Sequence, residues 1–319
     1  MEDKQEKVLS LYDLKVKNSY RTRGAFVLET GRGLMLLREH TYIGNHFLFE
    51  NRIKDVLSDA GMDMTDRVVK TAEGEDYAKL ETGETFVMTH WFYGEECNLK
   101  DENCVFCAAE NLGKMHRILK NFPAGEEYME ESETEKLIRH SREMKRVYSY
   151  MRNKKQKNEF EIFAMDCFSQ FYENGIEAEE MLAKIETDSG KVCHGDYNYH
   201  NVLFTSKGIA TTCFDKACRG EPLMDLYYFL RKAMEKNNWE ASIGEAVLKG
   251  YEKQINLSER GNRFLYVMLR YPEKYWKLLN QYYNRKKSWL SARNMEKLIG
   301  VKEQTARKEK FLQTLKERC

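Results

Sequence analysis

The stretch "CHGDYNYHNVLF", residues 193–204, sets one carboxylate, Asp196, directly after a His-Gly pair and one amide, Asn201, five residues further on. Val202, Leu203 and Phe204 close the run as the apolar start of a strand. A short polar constellation on a turn ahead of a strand contributes little to a core. Polar residues held on a loop by a rigid scaffold are placed to act on something outside it.

The rest of the composition narrows what that something is. The chain has 319 residues, which suits one protein of two lobes. Its formal net charge is +1, from 52 Lys and Arg against 51 Asp and Glu, so it carries no electrostatic footprint for nucleic acid or an anionic membrane. "MEDKQEKVLSLYDLK" is charged from its second residue and lacks the apolar stretch of a signal peptide. No apolar run is long enough to span a bilayer. A cytoplasmic chain with no nucleic-acid and no membrane partner is expected. The eight cysteines show no disulfide-framework spacing and read as reduced thiols. Cys104 and Cys107 form a CxxC with Cys97 upstream, but no second ligand pair stands at zinc spacing. That segment reads as a helix with packed thiols.

The hydrophobic period changes along the chain. "GAFVLET" alternates, "GRG" supplies a turn and "LMLLRE" is a short buried run, which predicts an antiparallel hairpin. "NHFLFENRIKDVLSDAG" predicts a helix burying Phe47, Leu48, Ile53, Val56 and Leu57, with Gly61 as its stop. "DRVVKTAEGEDYAKLETGETFVMTHWF" returns to strands. Residues 126–157 carry Leu137, Met144, Val147, Tyr148 and Met151 at helical spacing, and their basic end "RNKKQK" reads as a wet surface. "FEIFAMDCFSQFYENG" is a further helix, and from Pro222 onward nearly everything reads helical. The aromatics of "YPEKYWKLLNQYYNRKKSW" read as helix core, or as the lining of an acceptor cleft. The expected fold class is α+β: a β-rich lobe over 1–89, a hinge over 90–95, and a helical lobe over 96–319 that carries the opening stretch on a loop.

The chain has no GxxxxGK[ST], and "GRGLML" lacks the third glycine of a dinucleotide fingerprint. Phosphate must be held another way. In a kinase-type site an Asp orients the attacking hydroxyl, an Asn five residues later helps hold magnesium, a second acid completes the metal site, and a cation from the other lobe neutralises the phosphates. Asp196 and Asn201 meet the first of these requirements. "RGAFVLET", "FENRIKDVLSDAG", "CHGDYNYHNVLF", "MDLYYFLRKAMEKNNW" and "LRYPEKYWKLLNQYY" together resemble the aminoglycoside phosphotransferase and choline kinase branch of the protein-kinase-like fold. Within it they are most similar to the CotS-like spore coat proteins. The resemblance implies ATP and magnesium as cofactors, Asp196 as catalytic base and Asn201 as metal ligand. It further implies that His194 and Asp225 support the loop, and that the backbone of Met88, Thr89, His90 and Trp91 faces the adenine. His200 reads as a packed loop residue.

Two positions depart from that pattern. Where the fold places a lysine on the third strand, paired with a helix glutamate, this chain offers Arg38 and Glu50. An ion pair between them is expected. Where a magnesium-binding acid should precede Phe214 stands Cys213, a soft ligand for a hard cation. Asp215 supplies the carboxylate if the segment is extended, because a two-residue offset keeps one face. Two function classes follow. One is an ATP-dependent phosphotransferase acting on a small hydroxyl compound. The other is an inactive pseudokinase, a structural partner of other spore coat proteins, made in the mother cell and carried into the coat.

Overall fold

The computed structural model describes residues 2–22, 24–41, 43–125, 128–284 and 292–319. It opens with helix α1 (Glu2–Leu9) and strands β1 (Val16–Thr22), β2 (Ala25–Thr30) and β3 (Gly33–His40). β2 and β3 pair antiparallel with Thr30 opposite Gly33, so Gly31 and Arg32 form a two-residue loop. Thr30 Oγ1 locks that loop, donating to Gly33 O at 2.7 Å and accepting from Arg32 N at 3.1 Å.

Helix α2 (Asn45–Asp59) follows, then β4 (Ala78–Lys79) and β5 (Thr85–Trp91). The antiparallel sheet runs β1-β2-β3-β5-β4. On one face Leu28, Met35, Leu37, Phe86 and Met88 pack with Val8 and Tyr12; on the other, Ala25, Val27, Leu34 and Leu36 pack with Trp91. On α2 the inward residues are Phe47, Phe49, Ile53 and Leu57. The expected Leu48 is 56% exposed, because Phe49, Ile53 and Leu57 recur every fourth residue and rotate Leu48 outward. Val56 is only partly buried.

β5 runs through Trp91, and β6 (Glu95–Glu96) already pairs with the large lobe. The connection is therefore shorter than the expected 90–95 and lies at 92–94. In the large lobe α3 (Glu102–Leu119) contains the CxxC segment, capped by Asp101, whose side chain accepts from Asn103 N and Cys104 N. Among the described residues no cluster of three or more His, Cys, Asp or Glu stands at metal-binding positions. Helices α4 (Glu133–Asn153) and α5 (Glu159–Leu182) follow, α4 starting seven residues later than the pattern suggested. Four short strands, β7 (Lys191–Cys193), β8 (Val202–Thr205), β9 (Gly208–Thr211) and β10 (Cys218–Gly220), lie below the cleft. The chain then continues in α6 (Leu223–Lys236), α7 (Ala241–Glu252), α8 (Glu259–Arg270), α9 (Glu273–Asn284), α10 (Ala292–Glu303) and α11 (Thr305–Lys316). Tyr271 and Tyr275 are buried in the core of this lobe; Trp289 lies outside the described residues. No described helix is long and apolar enough to cross a membrane.

Candidate functional site

Strand β7 delivers the chain into the loop at His194, and a buried carboxylate fixes the backbone there. Asp225, in the first turn of α6, is 1% exposed. Its Oδ2 accepts from His194 N at 2.7 Å and contacts His116 Nε2 at 3.1 Å, while its Oδ1 accepts from Gly195 N at 2.9 Å. His194 Nδ1 accepts from Asp196 N at 3.2 Å, which leaves Nε2 to donate to Thr212 O at 3.2 Å. One ring accepting and donating is the neutral tautomer. Burial lowers the imidazole pKa and favours the same form.

Asp196 stands at the mouth of the loop. Its Oδ1 accepts from Asn198 Nδ2 at 2.9 Å and its Oδ2 from Lys216 Nζ at 2.7 Å. Burial would raise its pKa, but the Lys216 and Asn198 bonds outweigh it and hold the carboxyl below its usual range. Asn201 lies behind, donating from Nδ2 to Asp196 O at 2.9 Å and accepting Thr212 N on its backbone oxygen at 3.0 Å. His200 is exposed and its Nδ1 meets Glu96 Oε2 at 2.6 Å, a contact at the surface.

Above the loop, between the lobes, β3 contributes Leu36 and Arg38, α2 contributes Glu50 and Lys54, and β5 contributes Thr89 and Trp91 to one cavity. Asp66, Cys213 and Asp215 complete it. The space enclosed is about 50 Å³, room for a few waters. Arg38 is exposed and makes no ion pair among the described residues, so the expected Arg38–Glu50 pair does not form. Glu50 pairs instead with Lys54, one turn along the same helix, at 2.7 Å. Lys54 is 1% exposed, and its Nζ also donates to Asp66 O at 3.1 Å and lies 3.7 Å from Asp66 Oδ1. Burial would lower the Lys54 pKa, yet Asp66 and Glu50 raise it. The Asp66 carboxyl is pushed up to about 6, because burial there outweighs the attraction of Lys54.

Cys213 sits at φ +65, in the left-handed region that a non-glycine residue occupies only when its surroundings hold it there. Its N donates to Asp66 Oδ2 at 2.8 Å. β9 ends at Thr211, so the segment is not extended, and the same-face relation expected between Cys213 and Asp215 does not arise. Phe214 is fully buried and Asp215 is exposed in the following turn, although both Cys213 and Asp215 line the cavity. The adenine-facing backbone is also altered. Met88 O accepts from Val69 N and His90 N donates to Arg67 O, both at 2.8 Å, because Val68 bridges antiparallel to Thr89. The Met88 side chain is fully buried in the small-lobe core, while Thr89 and Trp91 face the cleft.

The protein donors alone do not complete a magnesium shell. Asn201 offers one neutral amide oxygen, and burial pushes the Cys213 thiol up to about 11, leaving a protonated sulfur. Asp66 is engaged by Cys213 N and Lys54. Asp215 remains as a hard charged ligand, and one carboxylate holds magnesium only together with nucleotide phosphates and waters.

Lys54, Asp66, Asn198, Lys216 and His116 escaped the sequence reading. Glu50 and Lys54 carried a signal, an i,i+4 acid–base pair in "FENRIKD". Asp66 carried none, since the segment after α2 meets β9 only through long-range bonds such as Thr211 N to Met64 O.

Among solved structures, an aminoglycoside phosphotransferase from Alicyclobacillus acidocaldarius subsp. acidocaldarius is similar with a TM-score of 0.86 at 18% identity, over 98% of this chain and 95% of that one. A spectinomycin phosphotransferase bound to ADP and its antibiotic aligns with a TM-score of 0.67 at 12% identity, over 97% and 98%. A choline/ethanolamine kinase family protein from Mesorhizobium loti aligns with a TM-score of 0.58 at 13% identity, over 99% of both chains. At these identities the likeness is one of fold. No curated protein sequence matches. A family profile described as "Spore coat putative kinase YutH" matches residues 5–315, nearly the whole chain. With its two-lobed kinase-like fold and its Asp196 loop, the chain belongs to that family of CotS-like spore coat proteins.

Proposed function

We propose that the cleft binds a nucleotide through protein cations, and that the chain serves the spore coat as a nucleotide-binding protein with incomplete metal-dependent transfer machinery. The buried Lys54–Glu50–Asp66 group carries this reading. It places a cation at the cleft from the helix, where the strand offers only the unpaired Arg38. An ammonium held by two acids is fixed in position and charged at any physiological pH. ADP, AMP-PNP and AMP appear with similarly folded proteins, which supports a nucleotide as the ligand. Other coat proteins are the partners this role requires.

The Asp196 geometry favours a second reading, transfer of a phosphoryl group to a small hydroxyl compound. A carboxylate kept ionised at the loop mouth can accept a proton from an acceptor hydroxyl. Lys216 would have to leave Asp196 as the acceptor arrives, and an incoming phosphate is a natural new partner for it. Similarly folded proteins named for spectinomycin, amicoumacin and aminopropanol support a small acceptor.

Thermal-shift titration with ATP separates the readings, with magnesium and with EDTA, on wild type, Lys54→Met and Asp196→Asn. Stabilisation by ATP in EDTA that is lost in Lys54→Met and kept in Asp196→Asn is the expected result. Absence of any ATP effect in wild type sinks nucleotide binding. Magnesium-dependent turnover that vanishes in Asp196→Asn establishes the second reading.

A further inference from the structure

A second cavity of about 410 Å³ lies in the large lobe and shares no lining residue with the cleft cavity. That volume is in the range of small-molecule sites. Its walls come from the end of α3, strand β7, the approach to α6, and the turn from α7 into α8. Four cations line it, Arg117, Lys120, Lys191 and Arg260, against two acids, Asp188 and Glu221.

The pairing of these charges is uneven. Glu221 is 4% exposed and fully engaged: Arg260 reaches it at 2.7 Å, and its oxygens accept from Asp188 N and Leu223 N. Arg117, Lys120 and Lys191 have no ion-pair partner among the described residues. Against these three cations the open part of the cavity carries one exposed acid, Asp188, and is net positive. Gln254 Oε1, on the same wall, is buried with no hydrogen-bond donor. Leu119, Val192, Leu223 and Leu257 supply apolar surface between the polar groups.

We propose that this cavity binds a small phosphate monoester. The phosphate meets Lys191 and Arg117, and the carbon body covers the leucines. The site is wired to the loop. Tyr251 OH meets His116 Nδ1 at 3.0 Å, His116 Nε2 meets Asp225 Oδ2 at 3.1 Å, and Asp225 holds the amides of His194 and Gly195. Tyr251 and His116 both line the cavity, so an occupant touches the chain of bonds that sets the loop.

The test is calorimetric titration of the intact protein with inorganic phosphate, glycerol 3-phosphate and glucose 6-phosphate. A sugar or polyol phosphate should bind more tightly than inorganic phosphate, and Lys191→Ala with Arg117→Ala should weaken it at least about tenfold. Both cations are exposed or half-exposed, and unchanged melting temperatures show that the variants fold. Asp196→Asn, in the cleft, should leave the affinity unchanged, which keeps this site separate from the nucleotide reading. Ligand should also slow amide exchange at His194 and Gly195. No binding of any probe up to about 10 mM, or equal affinity in the cation variants, overturns the proposal.

Discussion

Gly195 shows how little freedom the loop has. It occupies φ +77, and a Cβ there would lie 1.9 Å from Lys216 O. Gly195→Ala should therefore displace the Lys216 turn and cost about 3 kcal/mol or more, read as a fall in denaturant midpoint and as loss of the Lys216–Asp196 pair. Asp66 makes a different prediction. Its carboxyl titrates at about 6 in the fold against 3.8 unfolded. A raised carboxyl pKa contributes stability that is fully present below pH 4 and lost as pH rises through 6. Unfolding free energy should decline by about 2–3 kcal/mol across that window, at 1.4 kcal/mol per tenfold in proton affinity. Asp66→Asn, which keeps an acceptor for Cys213 N, should flatten the decline. An unchanged pH profile in that variant would assign the titration elsewhere.

At the scale of elements, α3 and α7 cross backbone to backbone. A Cβ on Gly250 would lie 2.2 Å from Phe106 O, and one on Gly113 would lie 2.9 Å from Tyr251 O. Neither neighbour can yield as a side-chain tip could, so the helices must separate. Gly250→Ala should destabilise by about 2–4 kcal/mol although alanine is the better helix former. The same crossing fixes His116 on α3 against Tyr251 on α7, so exchange protection of the His194 and Gly195 amides should fall in this variant more than in α10. Equal stability to wild type would mean that the two helices are not held at this distance.

At the scale of the molecule, His46 and Arg219 are among the side chains that tie the lobes together. His46, on α2, meets Ala217 O at 2.9 Å. Arg219, 1% exposed, donates to Gly190 O at 3.2 Å and Pro123 O at 2.7 Å, and its guanidinium stands 5.6 Å from the rings of Phe49 and Phe122. Because Phe49 belongs to α2, the small-lobe helix is anchored to the floor of the large lobe. Arg219→Met keeps the bulk and strands the carbonyls. It should lower stability by about 2–4 kcal/mol and broaden or split the calorimetric transition as the lobes uncouple. A single, equally sharp transition would argue that the lobes are joined by other means.

The sequence alone determined the hairpin at Thr30–Gly33, helix α2, the helical run after Pro222, and the loop with Asp196 and Asn201. Each is written in local periodicity, turn chemistry or a fixed short interval, where neighbours in the chain are neighbours in space. The resemblance pairs Arg38 with Glu50, and a two-residue offset puts Asp215 on the face of Cys213. The fold overrode both, since Glu50 finds Lys54 one turn away and Cys213 leaves the extended path at φ +65. The Lys54–Asp66–Cys213 contact, the Lys216–Asp196 pair and the second cavity in the large lobe were decided only by the tertiary structure. Asp66 and Cys213 are separated by 147 positions, and their meeting depends on how the segment after α2 settles beside β9. Desolvation and charge act through that proximity, and proximity across the cleft is a property of the packed chain.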